Sequence, residues 1–416
     1  MRPMLKGALR RCWRDRESVQ FGVDPAHAME LEPVDGAAAG FLDLLDGTRG
    51  AAALTRDAGA LGLGPDRVRQ LLGLLADGGV LDDASSHAEL ATAIRHRSPV
   101  LDRLRPDLAA LSVVHPGPGG AAARIRHRRA SRVRVYGAGR VGASLAAVLS
   151  AAGVGAVDLV DSGRVEPWDT SPAGIPAEHI GDRRDAAGRG AVRRAGMGGS
   201  RGPGRGLGGP GAPSSTGPGT GPGAAHHSRR HPGRGPDPGS TVIVLAPRDG
   251  LHAYAPEVGE ARQLVAAGVP HLYTGVLEGT GVVGPLVLPG RTACGECLGL
   301  RLADEDPAWP RMLAQLRSGR QSAVPACDVA LATTVAGLAA AHVLAHLDGR
   351  VPPSAGARVE LSMGRLSTRV RALPGDTRCG CGAPNGGDAG GQDGASRAAT
   401  GDLSAGPKTG RGTMAM

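Results

Sequence analysis

Short apolar runs, separated by helical periodicities and turns, give the chain its frame. SVQFGV (Ser18 to Val23) and AMELEP (Ala28 to Pro33) predict two short strands around a turn at Asp24 and Pro25. Helical stretches follow at Ala37 to Leu45, Ala51 to Ala60 and Pro65 to Ala76, the last with Leu71, Leu72, Leu74 and Leu75 on one face before GGVLDD. At Val133 to Tyr136 a β-type run leads through a glycine turn into a helix-length Ala/Leu segment, and a second apolar run ends at Asp161. TVIVLAPRDG (Thr241 to Gly250) is continuously apolar, as a strand buried on both faces of a parallel sheet is. A helix at Glu257 to Ala267, strands at His271 to Gly275 and Thr280 to Gly290, and a long apolar helix after Cys327 continue the alternation. Arg358 to Leu373 alternates as an antiparallel hairpin does.

The glycines after Tyr136 add chemistry to this frame. Gly137, Gly139 and Gly142 have GxGxxG spacing, which permits a tight turn and lets backbone approach a phosphate at a helix N-terminus. Asp161 lies beyond them, where a carboxylate accepts ribose hydroxyls. In a chain with 68 Gly the spacing alone is weak, and the flanking strands, the helix and the placed acid carry the inference. The fold class is α/β, with a Rossmann-like nucleotide-binding domain preceded by a small α+β domain.

Composition narrows the functions. A net charge of +9 suggests nucleic acid, but 2% aromatic residues leave few platforms for stacking bases, and much of the excess Arg lies in one glycine-rich stretch. We expect no nucleic-acid partner and no membrane span, and no signal peptide is apparent, so the expected location is cytoplasmic. Residues 186–239 have many Gly, Pro and Arg and almost no large apolar residues, which predicts disorder. Two readings stay open: a flexible insertion, or a stretch translated out of frame, which the Gly/Arg/Pro/Ala vocabulary favours. Residues 96–132 are expected to be a connector with solvated helix surface, and residues 383–416 a disordered tail.

Cys294 and Cys297 form a CxxC, and Cys379 and Cys381 a CxC. Thiolates from two tight turns can close a tetrahedral zinc site that serves as a structural staple; a redox pair or coincidence are the alternatives. Cys327 precedes the long apolar helix, where a thiol beside a helix N-terminus has a lowered pKa; a buried inert cysteine is the other reading. Cys12 has no partner in the pattern.

The glycine loop with AGVGAVDLVDSGRVEP resembles the ThiF/MoeB family, related to ubiquitin-activating enzymes, across Val133 to Cys381. FLxLLDGTRG and LLxLLADGGVLDD in residues 1–95 resemble the winged-helix domain that recognises leader peptides in maturation of ribosomally made peptides. These resemblances imply a ThiF-type fold with a zinc staple, ATP held by Gly137, Gly139, Gly142 and Asp161, and adenylation of a protein or peptide carboxylate. They also imply Asp249 as the one acid at its strand tip that could take magnesium, and Cys327 as a reactive thiol. The family's second acid is Gly163 here, its Asn and Arg are replaced within Pro167 to Gly174, and its lysine is not identified. Such an arginine stabilises charge on a transferring phosphate.

Three functions follow. One is an adenylyltransferase for a ubiquitin-like or sulfur-carrier protein or a peptide. The second is a reduced relative that presents a precursor's leader peptide to a partner modification enzyme, as in azoline-forming cyclodehydratase systems. The third is a nicotinamide-dependent oxidoreductase, which neither the cysteine pairs nor GVGAVDLVD requires. In the N-terminal segment, DNA binding or a packing appendage are the other readings. A homodimer is left open.

Overall fold

The structure, a computed structural model, describes residues 1–94, 98–196, 242–319, 324–385 and 411–413. It divides into two compact units, Met1–Arg129 with Gln392–Met416, and Ala130–Gly391.

In the first unit β1 (Pro3–Leu5) pairs with β5 (Leu81–Asp83), while β2 (Arg11–Trp13), β3 (Val19–Phe21) and β4 (Met29–Glu32) form an antiparallel sheet. Alternation along β3 and β4 turns Val19, Phe21, Met29 and Leu31 inward. There they meet Phe41 and Leu42 of α1 (Gly36–Leu44), Leu54 of α2 (Ala51–Ala60), and Val68, Leu71 and Leu75 of α3 (Pro65–Asp77). Asp35 caps α1 by accepting from the Ala38 N–H, and Pro65 opens α3 with the fixed φ a first turn needs.

Beyond β5, Asp83 caps α4 (Ala84–Ala93), and α5 (Ser98–Val114) and α6 (Gly120–Ala130) follow. The stretch expected as a connector is therefore largely helical, because Leu104, Leu108, Leu111 and Ile125 supply an apolar stripe that is buried. Buried Asp82 ties this region together, accepting from the Gly119 N–H at 2.8 Å and meeting His87 at 2.9 Å.

Among the described residues, the second unit is built on a seven-stranded sheet of mixed direction. Its parallel part consists of β6 (Arg132–Tyr136), β7 (Ala156–Val160), β8 (Val242–Leu245) and β9 (His271–Leu277); β10 (Thr280–Val287), β11 (Ala357–Ser362) and β12 (Ser367–Ala372) add an antiparallel meander. The order β7-β6-β8-β9 means that the chain leaves β6 toward one side and returns on the other. This is the strand-order switch that opens a crevice at the carboxyl ends of β6 and β8.

Along β8, Val242 and Val244 enter the core beneath α7 (Arg140–Ala151), α8 (Arg184–Ala195) and α13 (Val329–Leu347). Ile243 and Leu245 face a second core with residues of α9 (Gly250–Tyr254), α10 (Val258–Ala266), α11 (Gly295–Glu305) and α12 (Trp309–Ser318) nearby. Burial on both faces explains the uninterrupted apolar run. Helix α13 is long and apolar enough to cross a membrane by length and composition. It packs instead against α7, β9 and β10, with Leu331, Val335, Ala339 and Val343 wholly buried.

Two expectations of disorder are corrected for the residues described within them. Residues 186–195 lie in α8, whose small residues pack closely: a Cβ on Gly188 would stand 2.8 Å from Leu159. Composition overlooked this because a helix docked through Gly and Ala needs few large side chains. In the tail, Arg411–Thr413 (β13) pairs in parallel with β4, and Gly375 bridges to Asn385. The remainder of the glycine-rich stretch, 197–239, and the rest of the tail lie outside the described residues.

Candidate functional site at a glycine loop and a four-cysteine cluster

The glycine loop joins β6 to α7 at the strand-order switch. Gly137 has φ +105°, and a Cβ on it would run into the Ala246 carbonyl at the end of β8. A Cβ on Gly142 would run into the Gly137 carbonyl, so both glycines are required by close backbone approach. Gly139 is the N-cap of α7 and has no side chain to cover the helix terminus. An anion at that end gains from the orientation of the first N–H groups and from the helix dipole.

Asp161 reaches back from the end of β7 into this loop. One carboxylate oxygen accepts from the Ala138 N–H at 2.9 Å, and the other accepts from the Gly163 N–H at 2.8 Å. Arg184 donates to the same carboxylate at 3.0 Å, with its Nε on Asp169 at 3.1 Å and an Nη on the Arg164 carbonyl at 2.6 Å. The absence of a side chain at 163 has a structural purpose, since a Cβ there would stand 2.8 Å from the Arg184 guanidinium.

The segment Pro167–Asp169, a single 3-10 turn, is held by further arginines. Arg248, just past β8, donates from Nε to Asp169 at 2.7 Å and pairs with Glu166, with its guanidinium 5.8 Å from the Trp168 ring centre. Arg140, at the start of α7, donates to the carbonyls of Thr170 at 3.1 Å and Cys327 at 2.8 Å. Asp169 is 1% exposed, a depth at which a carboxylate needs partners, and it has two guanidinium groups.

Sequence reasoning looked for an arginine within Pro167 to Gly174 and an acid at the tip of β8. The cations come instead from Arg140, Arg184 and Arg248. Arg248 was in view at the strand tip, and its position at the switch point was the available signal.

Asp249 caps α9, accepting from the Leu251 N–H at 3.0 Å and meeting His252 at 3.2 Å. Asp161 and Asp169 are engaged by Arg184, and Glu166 by Arg248. Among the described residues, this set of acids, each committed to a cation or a cap, does not fit a divalent metal at the loop. Cys327 is half-buried, and burial pushes its thiol up rather than down; Asp328, not Cys327, caps α13, accepting from Ala330 and Leu331. The expectation of a lowered pKa at this thiol is corrected on that ground.

The four other cysteines converge from distant segments. Cys294 caps α11 and Cys297 lies in its first turn, while Cys379 and Cys381 follow the β11–β12 hairpin. The four Sγ atoms lie within 4.8 Å of one another, with Cys294–Cys379 at 3.5 Å and Cys297–Cys381 at 3.6 Å. Tetrahedral ligands at the zinc–thiolate bond length stand about 3.8 Å apart, so the cluster has the size to hold one metal ion. Around it, Glu296 accepts from Arg262 at 2.9 Å and from the Cys379 thiol at 3.6 Å, and Arg378 clamps Asp304 at 2.9 Å.

Residues 120–198 match the ThiF family. No curated protein matches the chain in sequence. Among solved structures, the Microcin C7 biosynthetic enzyme MccB in complex with N-formylated MccA superposes with a TM-score of 0.63 at 13% identity, covering 92% of this chain and 100% of that one. E. coli MccB with ATP gives a TM-score of 0.61 at 13% identity, covering 92% and 99%. The heterocyclase TruD gives 0.56 at 14% identity, covering 92% of this chain and 42% of TruD. Identities this low establish a shared fold. The resemblance read from the loop and the Asp161 segment is borne out: residues 120–198 match the ThiF family, in a chain that shares the fold of MccB.

Proposed function

We propose that the protein is a ThiF-type, ATP-using protein in the maturation of a ribosomally made peptide. The observation that carries this reading is the meeting of Gly137, Gly139 and Gly142 with Asp161 at the β6–β8 switch. The loop glycines and the α7 terminus would hold phosphate, and Asp161 the ribose. Solved MccB structures with ATP and with the MccA peptide share the fold across 92% of this chain, which supports both ligand classes. In the adenylation step, a peptide carboxylate oxygen would attack the α-phosphorus while the bond to pyrophosphate breaks.

The first unit would bind the precursor's leader as an added strand, in the manner of a winged-helix recognition domain. Its β4 edge already takes an extended segment, Arg411–Thr413, in parallel register, which supports an edge able to accept a peptide backbone. A leader would take the place of that segment before the peptide is presented to a partner modification enzyme in the cytoplasm. Zinc is the metal we assign to Cys294, Cys297, Cys379 and Cys381, because four thiolates in a closed tetrahedral set form a structural site without an open position.

The test is calorimetry on the full chain with ATP and with synthetic leader peptide, combined with ATP–pyrophosphate exchange. We expect ATP binding that is lost in Gly139→Val, and leader binding that needs no ATP. Exchange dependent on peptide would mark an active adenylyltransferase; leader binding without exchange would mark presentation alone. Preference for NADH over ATP, or for duplex DNA over the leader, would overturn the reading.

A further inference from the structure

We infer that the nucleotide polyphosphate is neutralised here by arginine, with Arg248 as the charge donor over the loop, rather than by a divalent cation. The inference rests on the nucleotide reading of the loop and goes beyond it. Arg248 leaves the carboxyl end of β8, on the far side of the switch from β7, and its stem lies over the loop: a Cβ on Gly139 would stand 3.5 Å from the Arg248 Cγ. A side chain rooted so close to the N-cap of α7 can carry its guanidinium into the space where a phosphate meets the helix terminus. Its ion pairs with Asp169 and Glu166 fix the guanidinium beside the loop.

The acids around the loop support the same conclusion from the other side. Asp161, Asp169 and Glu166 are each paired with an arginine, and Asp249 is used as a helix cap. A magnesium site would have to strip these pairs from their partners, whereas a phosphate needs Arg248 only to exchange a carboxylate for a phosphate oxygen. A planar guanidinium suits that exchange, since it matches both groups with paired N–H donors. Arg184 and Arg140 are tied to main-chain carbonyls as well and are the fixed members of the set.

Calorimetry on the full chain tests this with ATP and AMP, in magnesium and in EDTA, for the native protein, Arg248→Gln and Arg248→Lys. We expect native ATP affinity to change less than about twofold on removing magnesium. Arg248→Gln should lose at least about tenfold for ATP, as loss of a charge-assisted hydrogen bond does, and far less for AMP; Arg248→Lys should recover part of it. Thermal melts of both variants separate a local loss from misfolding. Native binding of ATP only with magnesium, or unchanged ATP binding in Arg248→Gln, would overturn the inference while leaving the nucleotide reading in place. Absence of any adenine-nucleotide binding to the native chain in either buffer would remove both.

Discussion

The cysteine cluster and the glycine loop are assembled by the same sheet in different ways. At the cluster, four residues of one type come from segments more than eighty positions apart and meet as the sequence pattern anticipated. At the loop, the glycines and Asp161 stand where spacing put them, but the cations arrive from α7, α8 and the tip of β8. Metal ligation fixes residue type and bond length together, so substitutes are few. Charge neutralisation fixes only where the charge ends up, and a long arginine can reach one point from several backbone positions.

The largest way to break this comparison is to remove the metal we assign to the cysteines. Ligands that converge from distant segments couple metal affinity to folding. We expect about one zinc per chain by elemental analysis, and Cys297→Ser should release it and lower the melting temperature by roughly 10 °C. Chelation should do the same in the native protein and have no further effect in the variant. A metal-free native protein with an unchanged melt would show that the thiols converge without a metal role.

A second substitution sharpens the contrast inside the loop. Gly142→Ala forces a Cβ against the Gly137 carbonyl, and Gly139→Ala meets Arg248 at ordinary contact distance, 3.5 Å or beyond. Denaturant titration should show a loss of about 3 kcal/mol or more for the first and under about 1 kcal/mol for the second. Equal losses would mean that the three glycines are needed for one common reason. The structure separates them into two that are sterically required and one that leaves the helix terminus open.

These differences also explain what was legible from sequence. Strands β6 to β10 and helices α1 to α3 stand close to the apolar runs that announced them, because their buried positions must be covered, whereas the exposed β12 was announced by the alternation of its hairpin. Helix α8 was not legible: its RDAAGRGAVRRA has the composition of the glycine-rich stretch it opens, and only contact with Leu159 and α7 makes its small residues favourable. Arg184 was hidden for the same reason, and with it the meaning of Gly163. The Asp161 carboxylate was identified from its distance to the loop, but its arginine partner could not be, since nothing local to residue 161 specifies it.

A third prediction loosens the sheet that carries both regions. His271, at the start of β9, is fully buried, and burial holds its pKa down at about 4. An unfolded chain binds the proton near pH 6.5, so stability is full above that pH and falls as pH drops toward 4. The loss should approach about 3 kcal/mol, the value of the shift. In the first unit His87 is shifted upward by its hydrogen bond to Asp82, so its contribution is present below about pH 6.5 and fades as pH rises through the folded value. Thermal melts across pH should therefore show acid weakening the second unit, and His271→Gln should flatten that slope. An unaltered slope would mean that other groups set the acid response.

The smallest expected effect concerns Asp249, and it tests whether the loop differs from the cluster in needing no metal. As the N-cap of α9, Asp249 accepts from the Leu251 N–H, so Asp249→Ala should cost about 1 kcal/mol. Asp249→Asn keeps an acceptor for that bond and should cost less. Neither change should move ATP affinity by more than about twofold, because the carboxylate faces the start of its own helix and His252. A metal ligand would behave in the opposite way: Asn would fold normally and lose magnesium-dependent binding as completely as Ala. The two variants together thus distinguish a cap from a ligand by the order of their effects, and a loss of binding in Asp249→Asn with native stability would return the divalent cation to the loop.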